Sequence, residues 1–384
     1  MSLNDWYLSC SVCGGRDSVD APVGLCPACH APYLARHEGA APPRSSIEAG
    51  RWDMWRYASA MPMGTDESPV ALGEGCTPLT ESPVLGRAVG VRKLWIKDEG
   101  VNPTASFKAR GLAAAVTRAR ARGVKGLVVP TAGNAGAALA AYGAAAGVPV
   151  RVYAPETTPR PILDTIRAMG VQLVTIAGHI GDAGRMSVAF AAESGYFNVA
   201  TLREPFRVEG NKTLGLELAE QMGWRLPDVL VYPTGGGEGV VGIWKAFAEM
   251  VQWGWLPRDT RLPRIIVAQT TGCAPLVRAL QSGAETATPW ENPVTHAAGL
   301  RVPGPLGDRL VLRAIRESGG DAAAADEDTI RDFTRRVAAA TGIDAAPEGG
   351  CAVAVTAQLV QSGSIRPSDE VVVYNTGAGA SYRA

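Results

Sequence analysis

The sequence lacks an excess of charge of either sign. Its 384 residues contain 37 Lys and Arg and 37 Asp and Glu, so the formal net charge is zero. Proteins that bind nucleic acids or anionic membranes usually attract phosphate groups with a surplus of basic residues. The balanced charge therefore argues against a nucleic-acid or membrane partner and favours a small neutral or zwitterionic molecule.

The sequence also lacks a segment typical of membrane insertion or secretion. Residues 129–150 carry no charge, but they include two prolines, an asparagine and many Ala and Gly, which makes them too weakly apolar for a membrane span. The first ten residues, MSLNDWYLSC, do not follow the basic, apolar, small-residue order of a signal peptide. We therefore expect a cytoplasmic protein in which residues 129–150 form a buried strand and a helix.

Four of the seven cysteines lie within the first 30 residues and form two Cys-x-x-Cys pairs. Cys10 and Cys13 are separated by twelve residues from Cys26 and Cys29. Disulfides are rare in the cytoplasm, and two such pairs are typical of a zinc ribbon, in which four thiolates surround one ion. We predict a closed structural zinc site, with bare thiols or redox chemistry as the alternatives. The isolated Cys76, Cys273 and Cys351 are predicted to be small buried side chains.

Short apolar runs alternate with Ala-rich helical segments along the rest of the chain. Seven runs rich in Val and Ile end at Gly, Thr, Pro or Asn: KLWIKDE, GLVVPTAGN, VPVRVYAPE, VQLVTIAG, DVLVYPTGGG, RIIVAQTTG and EVVVYNTGAG. Segments such as GLAAAVTRARARG and TLGLELAEQMG separate them. This alternation predicts an α/β fold with parallel sheets covered by helices on both faces. Ligands in such folds bind at the carboxyl ends of the strands.

A glycine loop follows the predicted strand DVLVYPT and precedes a predicted helix. It comprises Gly235, Gly236, Gly237, Glu238 and Gly239. The backbone N–H groups of such a loop, together with the helix dipole, favour an anion such as phosphate. The loop also contains GEGVVG, but a dinucleotide site requires an acidic residue at the end of the next strand, and Gln269 stands there. A merely structural turn is the remaining alternative.

Three further residues mark possible chemistry, each with an ordinary structural alternative. Asn134 lies between two glycines at a predicted helix start, where it could simply cap the helix. Thr376 follows a predicted strand and could belong to a turn. Lys108 lies near the start of a helix predicted to begin near Ser106, where a cation is unfavourable unless something compensates. A nearby phosphate would compensate, and burial would lower the pKa of the amine enough to make it nucleophilic.

Five motifs in this order, NPTASFKARG, TAGNAG, EPFRVEGNKT, PTGGGEG and YNTGAG, resemble those of the fold-type II pyridoxal-phosphate enzymes of the tryptophan synthase β superfamily, and most closely the threonine synthases. The resemblance covers nearly the whole chain, including the cysteine segment. It implies two parallel-sheet α/β domains with pyridoxal 5'-phosphate (PLP) in the cleft between them. It also implies a PLP-dependent lyase that converts O-phosphohomoserine and water to threonine and phosphate.

The resemblance assigns roles to particular residues of this chain. Lys108 matches the lysine that carries PLP and moves protons, and Asn134 matches the asparagine that binds the ring hydroxyl. The loop from Gly235 to Gly239 matches the phosphate loop, and Thr376 matches the hydroxyl facing the pyridine nitrogen, an arrangement that suits elimination and replacement. Further assignments are Phe107 to the cofactor and Ser106 and Arg207, with Lys212 nearby, to the substrate.

The sequence also departs from the threonine synthase pattern. Ala105 and Ala109 replace Gly and Asp, Ala135 replaces Thr, and Thr201 and Leu202 replace an Asn-Ser pair. The changes at Ala135, Thr201 and Leu202 affect the pocket expected to bind the phosphate of the substrate, which loses polar groups. These changes leave two alternatives open. One is another β-eliminating or β-replacing PLP enzyme, such as a serine/threonine dehydratase or a diaminopropionate ammonia-lyase. The other is a non-catalytic zinc-ribbon and ligand-binding module.

The predicted organisation has four parts. A zinc-ribbon-like segment spans residues 1–37, a linker 38–50, a small α/β domain 102–200, and a large PLP-binding domain 51–101 and 201–384. A homodimer is usual for the family. The single histidines His179 and His296 are expected at the surface or at helix caps, and Trp244 and Phe247 are expected in the core.

Overall fold

The computed structural model describes residues 3–383, and this part contains thirteen strands and eleven α-helices joined by loops and short 3-10 turns. The strands, in chain order, are β1 Trp6–Cys10, β2 Arg16–Ser18, β3 Tyr33–His37, β4 Leu79–Glu81, β5 Lys93–Asp98, β6 Leu127–Pro130, β7 Val150–Pro155, β8 Gln172–Ile176, β9 Phe197–Asn198, β10 Val229–Pro233, β11 Arg264–Thr270, β12 Asp321–Ala325 and β13 Glu370–Asn375.

The helices, in chain order, are α1 Pro83–Val89, α2 Lys108–Ala121, α3 Asn134–Ala146, α4 Arg160–Ala168, α5 Ile180–Ser194, α6 Phe206–Gln221, α7 Glu238–Gln252, α8 Pro275–Gln281, α9 Asp308–Glu317, α10 Glu327–Thr341 and α11 Pro347–Gln361. Helix α2 begins at Lys108 rather than near Ser106, and α6 begins at Phe206, earlier than the predicted segment TLGLELAEQMG.

The larger sheet has six strands in the order β12-β11-β10-β13-β5-β4. All neighbouring pairs are parallel except the edge pair of β4 with β5. The central strands β10, β11 and β13 are almost entirely buried and mostly apolar because helices cover both faces of the sheet.

The smaller sheet contains the four parallel strands β8-β7-β6-β9. Helix α2 precedes it in the chain and packs against both α3 and α6. All seven strands predicted from apolar runs are present, and the α/β fold with two mostly parallel sheets is confirmed.

The N-terminal segment forms a separate antiparallel sheet in the order β2-β1-β3. The ring of Trp6 in β1 lies edge-on to that of Trp253, just after α7, with ring centroids 6.4 Å apart. Beneath the Trp6 ring, Lys212 and Lys245 are buried with Glu209 and Glu249 in a four-membered ion cluster. The segment is thus packed onto the helices α6 and α7.

Within residues 3–383, no helix combines the length and the apolar character that crossing a bilayer requires.

Candidate active site

A cavity of about 390 Å³ opens where the carboxyl ends of strands from both sheets meet. Residues following β6, β10 and β13 line it, as do the first residues of α2, α3 and α7. Several helix N-termini therefore direct their unpaired N–H groups towards one space, which favours an anionic ligand. The position agrees with the expectation for parallel α/β sheets.

Lys108, the first residue of α2, lines this cavity. Its side chain is 20% exposed, and its Nζ lies 4.4 Å from the centre of the Phe107 ring and 3.9 Å from Glu238 Oε2. Burial lowers the pKa of the amine to about 8, although the Glu238 carboxylate opposes the shift. A larger neutral fraction therefore exists near neutral pH than for an ordinary lysine, so the amine can act as a nucleophile and a base.

The glycine loop between β10 and α7 forms the opposite wall of the cavity. Within the described residues, the N–H groups of Gly235, Gly236 and Gly237 donate no hydrogen bond to the protein. A Cβ on Gly235 would lie 2.2 Å from the carbonyl oxygen of Gly299, and one on Gly237, whose φ is +87°, would lie 2.3 Å from Val311 Cγ2. The loop thus requires glycine and offers free donors beside a helix N-terminus, which fits a phosphate group.

Asn134 begins α3 and lines the cavity. Its Nδ2 donates a hydrogen bond to the Tyr382 hydroxyl at 3.2 Å, and that hydroxyl donates to Glu348 Oε1 at 2.9 Å. Burial raises the pKa of the Glu348 carboxyl. Tyr382 and Glu348 are cavity residues that the motifs did not reveal, because both lie outside the five motifs.

Thr376 and Phe107 also line the cavity, next to each other. The Phe107 N–H donates to the carbonyl oxygen of Thr376 at 3.1 Å, and the Phe107 ring packs edge-on against Tyr232. These contacts join the segment carrying Lys108 to the end of β13. The structure therefore brings Lys108, Phe107, Asn134, the glycine loop and Thr376 to one space, and this set can accommodate a phosphorylated ring that reacts with an amine.

Three residues linked with the substrate, or near it, in the sequence do not line the cavity. Ser106 is fully buried, and its Oγ has no hydrogen-bond partner among the described residues. Arg207 is also fully buried, with Nη2 bonded to Glu238 Oε2 at 2.7 Å and Nη1 to the carbonyl oxygen of Val199 at 2.7 Å. Lys212 belongs to the ion cluster beneath Trp6. Both basic side chains are thus directed to protein partners.

The cavity instead exposes Arg203, which the sequence motifs did not single out. The guanidinium of Arg203 makes no hydrogen bond or ion pair with any residue that the structure describes. Its neighbour Thr201 also lines the cavity, whereas Leu202 between them is buried.

The four N-terminal cysteines lie close together in the ribbon. Their Sγ atoms are all within 4.8 Å of one another, and Cys13 and Cys29 are exposed while Cys10 and Cys26 are buried. Four thiols at this separation can surround one metal ion. Of the other cysteines, Cys273 and Cys351 are buried as predicted, and Cys76 is half-buried.

The remaining single residues have structural roles. His179 is the N-cap of α5, where its N–H donates to Asp182, and His296 pairs with Glu327. Phe247 is buried in the core, while the Trp244 indole packs on that core and donates to Glu317.

The fold is shared with several solved structures. Maize serine racemase matches with a TM-score of 0.68 at 22% identity, over 79% of this chain and 88% of that chain. The processed form of threonine deaminase isoform 2 from Solanum lycopersicum matches with a TM-score of 0.66 at 22% identity, over 79% of this chain and 83% of that chain.

The sequence has more similar relatives. It is 32% identical to the threonine synthase of Methanosarcina acetivorans over 97% of this chain and 91% of the relative. It is 33% identical to the threonine synthase of Methanocaldococcus jannaschii over 85% of this chain and 80% of the relative. Residues 70–377 match the family described as pyridoxal-phosphate dependent enzyme. The chain belongs to the family of pyridoxal-phosphate dependent enzymes.

Proposed function

We propose that the protein is a threonine synthase, a PLP-dependent lyase that converts O-phosphohomoserine and water to threonine and phosphate. The observation that carries the proposal is the similarity to threonine synthases, which for the Methanosarcina acetivorans enzyme extends over 97% of the chain. The cavity supports it, since a nucleophilic amine and a phosphate-binding loop face each other there.

PLP would be held by residues that line the cavity. The free N–H groups of Gly235, Gly236 and Gly237 would bind its phosphate, with the dipole of α7 behind them. Asn134 would donate to the ring hydroxyl, Thr376 would face the ring nitrogen, and Phe107 would pack beside them. When bound, the cofactor supplies an electron sink that stabilises negative charge on the substrate's carbon atoms.

Lys108 would carry the cofactor and then transfer protons. Its buried amine has a pKa of about 8, so it can accept a proton from the substrate's α or β carbon and return one near neutral pH. Glu238, 3.9 Å from Nζ, stabilises the protonated form after each transfer. The neutral and charged states of one amine are therefore both accessible during turnover.

The ribbon, the assembly and the domain boundaries complete the proposal. Cys10, Cys13, Cys26 and Cys29 would hold one structural zinc ion, a role that fits four thiols with no fifth ligand position. The small domain would span residues 102–200, a range that contains all four strands of the smaller sheet. We further propose a cytoplasmic homodimer.

Phosphate release from O-phosphohomoserine tests the function directly. Purified holoenzyme should release phosphate and form threonine in equal amounts, and Lys108→Ala should abolish both, whereas the half-exposed Lys93→Ala should retain them. The apolar Ala135 in the cavity lining favours a second candidate, a β-eliminating lyase acting on a smaller substrate. Absence of phosphate release, with pyruvate formed from serine or 2-oxobutanoate formed from threonine, would establish that candidate instead.

A further inference from the structure

Two basic side chains line the cavity among residues 3–383, Lys108 and Arg203. The proposed function commits Lys108 to the cofactor. Of the lining carboxylates, Glu238 pairs with Arg207, and Glu348 Oε1 accepts hydrogen bonds from the Gly299 N–H and the Tyr382 hydroxyl, while Glu348 Oε2 has no hydrogen-bond partner among the described residues. Arg203 is therefore the cation left to balance a negative group on a ligand.

The backbone around Arg203 has an unusual conformation. Leu202 has a φ of +59°, in the left-handed region that branched apolar residues rarely adopt. This turn sends the Leu202 side chain into the core, where it lies against Gly307, and leaves Thr201 and Arg203 on either side at the cavity wall. Such strain persists only where surrounding contacts hold it.

Arg207 and Glu238 supply those contacts. The Leu202 N–H donates to Glu238 Oε1 at 3.2 Å, and the other oxygen of that carboxylate accepts from Arg207 at 2.7 Å. Arg207 also donates to the carbonyl oxygen of Val199 at 2.7 Å, so it holds one end of the segment 199–202 directly and the other end through Glu238. These bonds are fully buried and charge-assisted, which makes them strong.

We propose that Arg203, with the Thr201 hydroxyl, binds the anionic end of the substrate, and that Arg207 is a positioning residue that acts through Glu238. Thr201 lies beside the glycine loop, since a Cβ on Gly236 would come within 2.8 Å of Thr201 Cγ2. The anion subsite therefore borders the site proposed for the cofactor phosphate. The glycine N–H donors are assigned to the cofactor phosphate, so a second phosphate group needs other partners. A planar guanidinium and a hydroxyl together can bind it.

This inference rests on the proposed function for the identity of the substrate, but its binding component can be tested separately. Inorganic phosphate is titrated calorimetrically into the holoenzyme of the wild type, Arg203→Gln and Arg203→Lys. The matched control is Arg335→Gln, which alters an arginine whose side chain is 80% exposed. We expect Arg203→Gln to weaken phosphate binding at least tenfold, Arg203→Lys to weaken it less, and the control to leave it unchanged.

The same variants are then assayed with O-phosphohomoserine. We expect the KM of Arg203→Gln to rise at least tenfold, while its cofactor absorbance spectrum matches that of the wild type and shows an intact cofactor site. Unchanged phosphate affinity in Arg203→Gln and Arg203→Lys, or no phosphate binding by the wild type, would overturn the inference. Failure of the wild type to release phosphate from O-phosphohomoserine would instead overturn the proposed function, because the phosphate titration is independent of turnover.

Discussion

Arg207 and Glu238, of which Glu238 lines the cavity, form a buried ion pair with a Nη2 to Oε2 distance of 2.7 Å. Neither side chain has appreciable solvent exposure. The pair joins the N-terminal turn of α6 to that of α7 and brings the carboxylate within 3.9 Å of the Lys108 amine. It therefore links the segment 199–202, the glycine loop and the reactive lysine.

Removing one member of this pair should destabilise the protein strongly. Glu238→Leu leaves a buried guanidinium without its partner, and we expect the free energy of unfolding of the apoenzyme to fall by about 3–5 kcal/mol. The double variant Glu238→Leu/Arg207→Met should recover part of the loss, since it buries no unpaired charge. Chemical denaturation measures both, with the exposed pair of Arg309 and Glu285 as the control through Glu285→Gln. If the double variant loses as much free energy of unfolding as the two single variants together, the two side chains are not coupled.

Gly237 should be required for cofactor binding for steric reasons. Gly237→Ala places a Cβ 2.3 Å from Val311 Cγ2 at a φ of +87°, so the loop must move away from its present position. We expect the affinity of the apoenzyme for PLP to fall at least tenfold, as measured by fluorescence titration.

Gly254 provides a matched control for this prediction. It also has a positive φ, +74°, but a Cβ there would meet no atom within 4 Å. Gly254→Ala should therefore cost about 1 kcal/mol of stability and leave PLP affinity unchanged. Equal effects of the two variants on affinity would contradict a specific role for the loop.

Cofactor uptake should depend on the protonation state of Lys108. Because burial lowers the pKa of this amine to about 8, the neutral fraction should reach half of its maximum near that pH and level off above it. The uptake rate of the apoenzyme, followed by absorbance from about pH 6.5 to 9.5, should show the same profile. Glu238→Gln should move the midpoint to lower pH, since the carboxylate favours the charged amine. The side-chain amine of N-acetyl-lysine is the control. If the uptake rate of the protein rises only at the higher pH at which the control amine begins to react, the lowered pKa is refuted.

The cysteine ribbon should lose structure when its metal is removed. We expect one zinc ion per chain by elemental analysis, and we expect Cys10→Ser or chelation to expose Trp6, which packs near Trp253. Tryptophan fluorescence would then shift to the red. Cys76→Ser, at a half-buried cysteine outside the ribbon, is the control. If the protein contains no zinc and the fluorescence of Cys10→Ser equals that of Cys76→Ser, a structural metal site is contradicted.

Much of the fold could be predicted because buried parallel strands are encoded as short runs of Val and Ile. Strand β12, DAAAA, was missed since alanine has a high helix propensity and no β-branched side chain. The two-residue strand β9 was too short for any pattern. The cavity positions of Lys108 and Asn134, each at a helix start, could be predicted because the local sequence determines where a strand stops and a helix begins.

The choice between Arg203 and Arg207 was beyond sequence patterns. Both lie in the same short segment, and the motif contains only the second. Which one reaches the cavity depends on the left-handed backbone of Leu202, and that conformation depends on Glu238, a partner 36 positions away in the chain. Tertiary contacts of this kind leave no local signal.

The central claim is that PLP is attached to the side-chain nitrogen of Lys108. Reduction of the holoenzyme with borohydride, followed by proteolysis and peptide mass analysis, tests it most directly. We expect a single pyridoxyl phosphate adduct on the peptide that contains Lys108, and none in Lys108→Ala. An adduct on a different lysine, or a protein without any adduct, would contradict the account.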